Sequence, residues 1–297
     1  MLLSSRVATT IAAATLAAVA IAIPAFAVTD GALDGEGHPN VGLLLFASEG
    51  GIYRCSGTLV TPTVVLTAAH CTTDITGDTI VSFQSFIAGD TATGKDWIPG
   101  YDGTNYSTIA ASGFNYRPTF TTKGITWYSG TAHTAPNYSN FTDMANWNDY
   151  GVIVLDKAVK GITPAKLAPR AYLDALDQST LNSTLFTAVG YGTEVRQADS
   201  GPQNPTPMSY PIVRRYALEP GQKLTPQILQ VNGNGNDTRG TGGTCFGDSG
   251  GPSFLNGYVV TVTSYGYTSN CRYIDGLQRV DIGIAQDWLK TFGVPTS

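Results

Sequence analysis

Apolar residues run almost unbroken through Val41–Ala47, the pattern of a strand buried on both faces. Thr63–Ala69 begins β-branched and ends in small residues. Gly151–Leu155, Leu185–Val189 and Tyr258–Ser264 are rich in Val, Leu, Phe and Thr, and each predicts a further strand. Asn256-Gly257 stands between two apolar runs. This is a hairpin signal, because a type I′ turn needs positive φ at both central residues. One helix is predicted, near the end of the chain. Ile284, Trp288, Leu289 and Phe292 share a face at 3.6 spacing, with Asp281 placed to cap the start. No internal repeat of fixed period is present. The pattern is all-β with a closing helix, which suits barrels or a sandwich.

Three stretches stand outside it. Met1–Arg6 carries one positive charge, Val7–Ile23 carries none and is apolar, and Pro24 precedes Ala25-Phe26-Ala27. That order reads as a secretory signal at 1–27, too short in its apolar run to span a bilayer at ~20 residues. Thr72–Asn148 is rich in Thr, Asn, Gly, Tyr and Trp and reads as a long polar insert. It holds Trp97, Trp127 and Trp147 and sequons at Asn105, Asn137 and Asn140. Ser200–Pro226 carries six prolines and reads as an exposed loop.

Composition narrows the function. Charged residues are 13% and hydrophobic ones 42%, which excludes a disordered chain. A net charge of −5 lacks the cationic footprint that nucleic acid requires. The 34 glycines and 16 prolines favour frequent turns over long helices. Four cysteines suffice for two bridges in an oxidising compartment.

The chemistry is concentrated in three short segments. Gly247-Asp248-Ser249-Gly250-Gly251-Pro252 sets a serine among glycines, where a tight turn exposes Oγ and backbone N–H groups come close to an oxyanion. Thr67-Ala68-Ala69-His70-Cys71 supplies a general base held beside a cysteine. The other histidines are His38, in a Gly-rich stretch before Pro39, and His133, in the polar insert; both read as surface residues. Asn148-Asp149-Tyr150-Gly151 places one acid at the mouth of an apolar strand, where a carboxylate can orient an imidazole. Chain order then decides between folds. An α/β-hydrolase runs Ser, Asp, His and a subtilisin runs Asp, His, Ser, whereas this chain runs His70, Asp149, Ser249.

With these motifs the chain resembles the secreted chymotrypsin/trypsin-like serine proteases, from about Val28 to Phe292. The resemblance implies two six-stranded antiparallel β-barrels with a C-terminal helix, the N-terminal barrel at 28–165 with the 72–148 insert and the second at 166–297. It implies His70 as general base, Asp149 as its orienting acid, Ser249 as nucleophile, and the N–H groups of Gly247 and Ser249 as oxyanion hole. Cys55–Cys71 and Cys245–Cys271 match the family's pairs at the histidine loop and the specificity pocket. Gly190-Tyr191-Gly192 is similar to the family's Gly-Trp-Gly, and Ser264-Tyr265-Gly266 to the Ser-Trp-Gly strand on which substrate backbone pairs. Gly243 and Thr244 fall at the pocket floor, where trypsins carry Asp, and Gly266 at its entrance. That favours an apolar P1 side chain, while Asp275, near the back wall, leaves Arg or Lys open.

The start Val28-Thr29-Asp30-Gly31 departs from the family's Ile-Val-Gly-Gly, and the stretch between His70 and Asp149 is longer than in a compact member. No Arg or Lys lies between Arg6 and Arg54, so signal cleavage itself is expected to free the Val28 amine that pairs with Asp248. The expected partners are protein or peptide substrates, with protein inhibitors as a further class. Nucleic acid, a membrane after signal cleavage, cofactors and metals are not expected, and the expected state is a secreted monomer. The alternative is a catalytically inactive binding protein on the same fold.

Overall fold

The computed structural model describes residues 31–90, 94–195, 208–235, 237 and 239–296. The predicted signal segment and Val28 lie outside the described residues.

Twelve strands form two closed barrels, all of their pairings antiparallel. The first comprises β1 (Val41–Ser48), β2 (Gly51–Thr61), β3 (Val64–Thr67), β4 (Ile75–Ser82), β5 (Ile125–Thr134) and β6 (Gly151–Leu155). Their order is β4-β1-β2-β3-β6-β5, closed by pairing of β4 with β5. The second comprises β7 (Leu185–Gly190), β8 (Arg215–Leu224), β9 (Ile228–Asn232), β10 (Pro252–Leu255), β11 (Tyr258–Gly266) and β12 (Ile274–Arg279). Their order is β8-β7-β10-β11-β12-β9, closed by β8 with β9. Closure leaves neither barrel with a free sheet edge.

Alternate side chains fill each interior. Leu44, Leu59, Val65, Val81 and Ile153 pack in the first barrel. Phe186, Leu229, Val231, Val260 and Leu277 pack in the second. A third cluster joins the barrels through Leu43, Leu45, Val152, Val189, Tyr191 and Val262. The β10–β11 turn has Asn256 at φ 51° and Gly257 at φ 80°, as its sequence predicts. The N-terminal segment is locked between the barrels by a buried ion pair. Arg214 Nε donates to Asp34 Oδ2 at 2.8 Å, and its Nη1 donates to the carbonyls of Val41 and Phe83 at 3.1 and 2.9 Å.

Several expectations need correction. The 72–148 stretch is not wholly an insert, since it carries β4 and β5 of the barrel itself. The additional chain lies between them and includes helix α1 (Tyr106–Ser112). The described part of Ser200–Pro226 is not an exposed loop but forms β8, and Pro220 is accommodated opposite Leu185, the first residue of β7. Helix α2 (Gln178–Ser183) was not anticipated, and α3 (Gly283–Lys290) is the closing helix. Asp281 does not cap α3. Its carboxylate accepts from Arg279 Nε at 2.9 Å and from Leu173 N at 2.8 Å, so it ties the strand end to the neighbouring turn instead. Ile284 faces outward, and Ala285 and Leu289 carry the buried face.

Candidate active site

His70 sits on a 3₁₀ turn, Ala69–Cys71, directly after β3. The Cys55–Cys71 disulfide ties that turn to β2. Asp149 lies fully buried just ahead of β6, which pairs with β3, so sheet register brings acid and imidazole together. His70 Nδ1 is 2.9 Å from Asp149 Oδ2, and the His70 backbone N–H donates to Oδ1 at 2.9 Å. Ser264 Oγ donates to Asp149 Oδ2 at 2.5 Å and accepts from Trp147 Nε1 at 2.8 Å. Gln278 Oε1 receives the Asp149 backbone N–H at 2.9 Å. Ser264, expected in the pocket, spends its hydroxyl on this acid. Gln278 and Trp147 were not foreseen as supports; their signal was no more than position in the Gln-Arg-Val and Trp-Asn-Asp runs.

The serine turn is pinned from both barrels. Ser56 of β2 donates its N–H to the Ser249 carbonyl at 2.8 Å and its Oγ to the Gly247 carbonyl at 2.8 Å. Gly250 N donates to Thr263 O at 2.8 Å. The Cys245–Cys271 disulfide anchors the approach. Neither the Gly247 nor the Ser249 N–H donates to another described residue, so both are available to an incoming oxyanion. His70 and Ser249 line one cavity of about 810 Å³, which extends past Tyr53, Arg54, Trp97 and Phe246. His70 makes its ring hydrogen bonds to Asp149, and none joins it to Ser249 Oγ among the described residues.

Asp248 is buried, accepting from Gly192 N at 2.8 Å and Cys245 N at 2.9 Å. Burial raises its pKa to about 6, against the opposing pull of those N–H groups and of the Arg54 and Arg215 charges. The Gly190-Tyr191-Gly192 spacing now has its reason. A Cβ on Gly190 or Gly192 would stand 2.2 or 2.0 Å from an Asp248 oxygen.

Around the expected pocket, Asp275 lies on β12 opposite Gly266 of β11. Its Oδ2 accepts from Thr244 N at 2.8 Å and Thr244 Oγ1 at 2.9 Å. Burial raises its pKa to about 7. A Cβ on Gly243 would meet the Gly233 backbone at 2.4 Å, so no side chain fits at that floor position. The Tyr265 ring lies across Gly276, within 2.1 Å of where a Cβ would stand there. Of the remaining histidines, His38 pairs with Asp34 at 2.5 Å and His133 packs its ring 5.2 Å from Phe292, and neither lines the cavity that His70 and Ser249 share. The Cys55, His70 and Cys71 side chains also converge, but both sulfurs are consumed by the disulfide.

Paired antiparallel barrels with this acid–imidazole–serine junction define the chymotrypsin-like fold class. HL collagenase has the same fold, with a TM-score of 0.60 at 17% identity, covering 90% of this chain and 100% of the other. An inactivated protease paralogue of the scabies mite matches with a TM-score of 0.55 at 14% identity, over 88% of this chain and 97% of the other. By sequence, brachyurin of Leptuca pugilator is 27% identical over 247 residues, 81% of this chain and 88% of that protein. The chain matches the Trypsin family over residues 36–289 and belongs to that family of serine proteases, which act on proteins and peptides. Among the described residues, no helix is long and apolar enough to cross a membrane.

Proposed function

We propose that the protein is a secreted serine endopeptidase working through His70, Asp149 and Ser249. The observation that carries this reading is the pair of His70–Asp149 hydrogen bonds facing Ser249 across one cavity. Ser249 Oγ attacks the scissile carbonyl and passes its proton to His70 Nε2, while Asp149 holds the proton on Nδ1 and balances the imidazolium. The N–H groups of Gly247 and Ser249 receive the oxyanion. His70 then protonates the leaving amine, and water releases the acyl group by the same route in reverse.

For P1, the protonated Asp275 side chain and the absence of a side chain at Gly243 favour apolar groups. With Asp275 ionised, the same pocket accepts a cation. A P1-varied peptide library read at pH 6 and pH 8.5 tests this: apolar P1 leading at pH 6 is expected, and Arg or Lys leading there contradicts it.

Removal of 1–27 frees the Val28 amine to pair with Asp248 as a charge-assisted hydrogen bond. Ala32–Leu33 pairs with β8 at Tyr216 and Arg215, and Arg215 pairs in turn with Gly190, against which Asp248 rests. Val28 is four residues back from Ala32, a reach of about 13 Å when extended. N-terminal sequencing of the active secreted enzyme is expected to start at Val28; full activity with a residue added before Val28 contradicts the pairing.

The inactive alternative draws on the scabies mite paralogue, but that likeness concerns fold alone, and this chain retains His, Asp and Ser. Labelling of Ser249 by a fluorophosphonate decides between the two.

A further inference from the structure

Glu219 has no place in the chemistry so far. It lies on β8, opposite Phe186 of β7, and is fully buried. Neither carboxyl oxygen makes a hydrogen bond of good geometry among the described residues, and the one donor near it is the backbone N–H of Thr244, which Asp275 Oδ2 already engages. A buried carboxyl without a partner costs stability, and an apolar residue would fill a barrel position at less expense. Its position suggests what compensates it. The Gly242 N–H donates to Leu218 O at 3.0 Å, which lays the 242–244 pocket segment along this part of β8. Thr244, on that segment, holds Asp275 Oδ2, while Asp275 Oδ1 faces Gly266, 3.2 Å from where a Cβ would stand there. Two carboxyls thus lie against the same short 242–244 segment, both at Thr244.

The charged neighbours are few. Asp275 faces Glu219 from β12 and Asp248 from the serine turn, and both repel its charge. The cations nearby, Arg54 and Arg215, act on Asp248, and Arg215 is already paired with Glu194. Phe186 on the adjoining strand brings no charge. Burial, then the Asp275 charge, then that of Asp248, hold Glu219 protonated well above the ordinary carboxyl range. In the resting pocket Asp275 therefore ionises first and Glu219 keeps its proton.

We propose that Glu219 is a second specificity-determining carboxyl of the P1 site, giving the pocket floor up to two negative charges with Asp275 and favouring a cationic P1 group progressively as each ionises. A cation entering the pocket compensates a charge that nothing else there compensates, and Glu219 releases its proton to solvent as it binds. An uncharged P1 group gains nothing from either ionisation and binds best while both carboxyls are neutral. This rests on the pocket assignment above, but the test requires no turnover.

Benzamidine, a cationic P1 mimic, and uncharged benzyl alcohol are titrated calorimetrically into the secreted chain from pH 5 to pH 9. Benzamidine affinity is expected to rise in two steps, and that of benzyl alcohol to fall. Glu219→Gln is expected to match wild type within about twofold at pH 6 but to bind benzamidine about tenfold more weakly at pH 9, one pKa unit's worth of lost attraction. Asp275→Asn is expected to lose the lower step. Should Glu219→Gln fail to fold, wild type alone decides, since benzamidine binding near pH 8 must release a proton, read from the dependence of heat on buffer ionisation. Superimposed wild-type and Glu219→Gln curves, no proton release, or no benzamidine binding at any pH overturns the proposal. Fluorophosphonate labelling of the same preparation reports separately on the peptidase reading.

Discussion

Replacing Asp149 by Asn changes a single atom in a fully buried side chain, and the surrounding hydrogen bonds dictate the consequence. Oδ1 accepts the His70 backbone N–H at 2.9 Å, and Oδ2 accepts His70 Nδ1–H at 2.9 Å and Ser264 O–H at 2.5 Å. The new amide has one acceptor and one donor end. Its donor end cannot face the backbone N–H, which has no alternative partner and cannot change its proton. The amide NH₂ must therefore take the Oδ2 position. Ser264 can rotate its hydroxyl to accept, but the imidazole can accept only by moving its proton to Nε2. That tautomer has no lone pair to take the proton from Ser249. The expected loss in kcat is about 10⁴, or roughly 5.5 kcal/mol of transition-state stabilisation, with little change in KM. Steady-state kinetics on an apolar-P1 peptide measures it, and ¹⁵N chemical shifts of His70 read the tautomer directly. An Asp149→Asn enzyme within tenfold of wild-type kcat, or one whose His70 proton stays on Nδ1, refutes this reasoning. Ser264→Ala removes one of the three donors and leaves the tautomer intact, so its cost is expected to be near tenfold.

Further outcomes follow from buried charge and covalent restraint. The Asp248 carboxyl ionises near 3.8 when unfolded and about 6 when folded, so the unfolded chain holds fewer protons between those values and stability falls as pH rises through that window. The loss is about 3 kcal/mol by pH 7 in a chain with extra residues before Val28 and is offset when the Val28 amine pairs with Asp248; denaturant melts of the two forms at pH 4 and pH 7 compare them. Arg214→Ala takes the guanidinium from buried Asp34, which keeps only its His38 contacts, and is expected to destabilise by about 3 kcal/mol, measured by urea unfolding near neutral pH, whereas a change below about 1 kcal/mol contradicts the buried-pair argument. Replacing Cys55 and Cys71 together by Ala reopens a loop with a sequence separation of 16 and is expected to cost about 3 kcal/mol, with activity falling further than stability alone explains because His70 adjoins the bridge.

Much of the fold was legible because the barrel interiors demand apolar, β-branched runs. Val41–Ala47 and Gly151–Leu155 read as strands and are strands, and Asn256-Gly257 makes its turn. Where polar residues alternate into a barrel wall, the signal fades. β4, with Thr76, Gly77, Asp78 and Thr79 inside it, and β5, with Thr131, His133 and Thr134, were absorbed into an apparent insert. Proline misled similarly at β8, since Pro220 is tolerated where the strand meets the first residue of β7. Asp281 looked like a cap because local sequence cannot reveal that Arg279 and Leu173 N compete for it. At the site, His70, Asp149 and Ser249 announce themselves because each sits in a motif that its own loop requires. Ser264 and Gln278 reach Asp149 from more than 100 residues away, Trp147 reaches Ser264 over a similar span, and Glu219 meets Asp275 from another strand; only the folded register brings them in.

The central claim is that Ser249 is an activated nucleophile in a working peptidase. Its most direct test is a fluorophosphonate reaction with the folded secreted protein, followed by peptide mapping of the modified residue and a protein-hydrolysis assay of the same sample. One label per chain, on Ser249, with hydrolysis abolished in step and no labelling of Ser249→Ala, is the predicted result. Hydrolysis that survives full labelling, or a folded protein that neither labels nor cleaves, contradicts it.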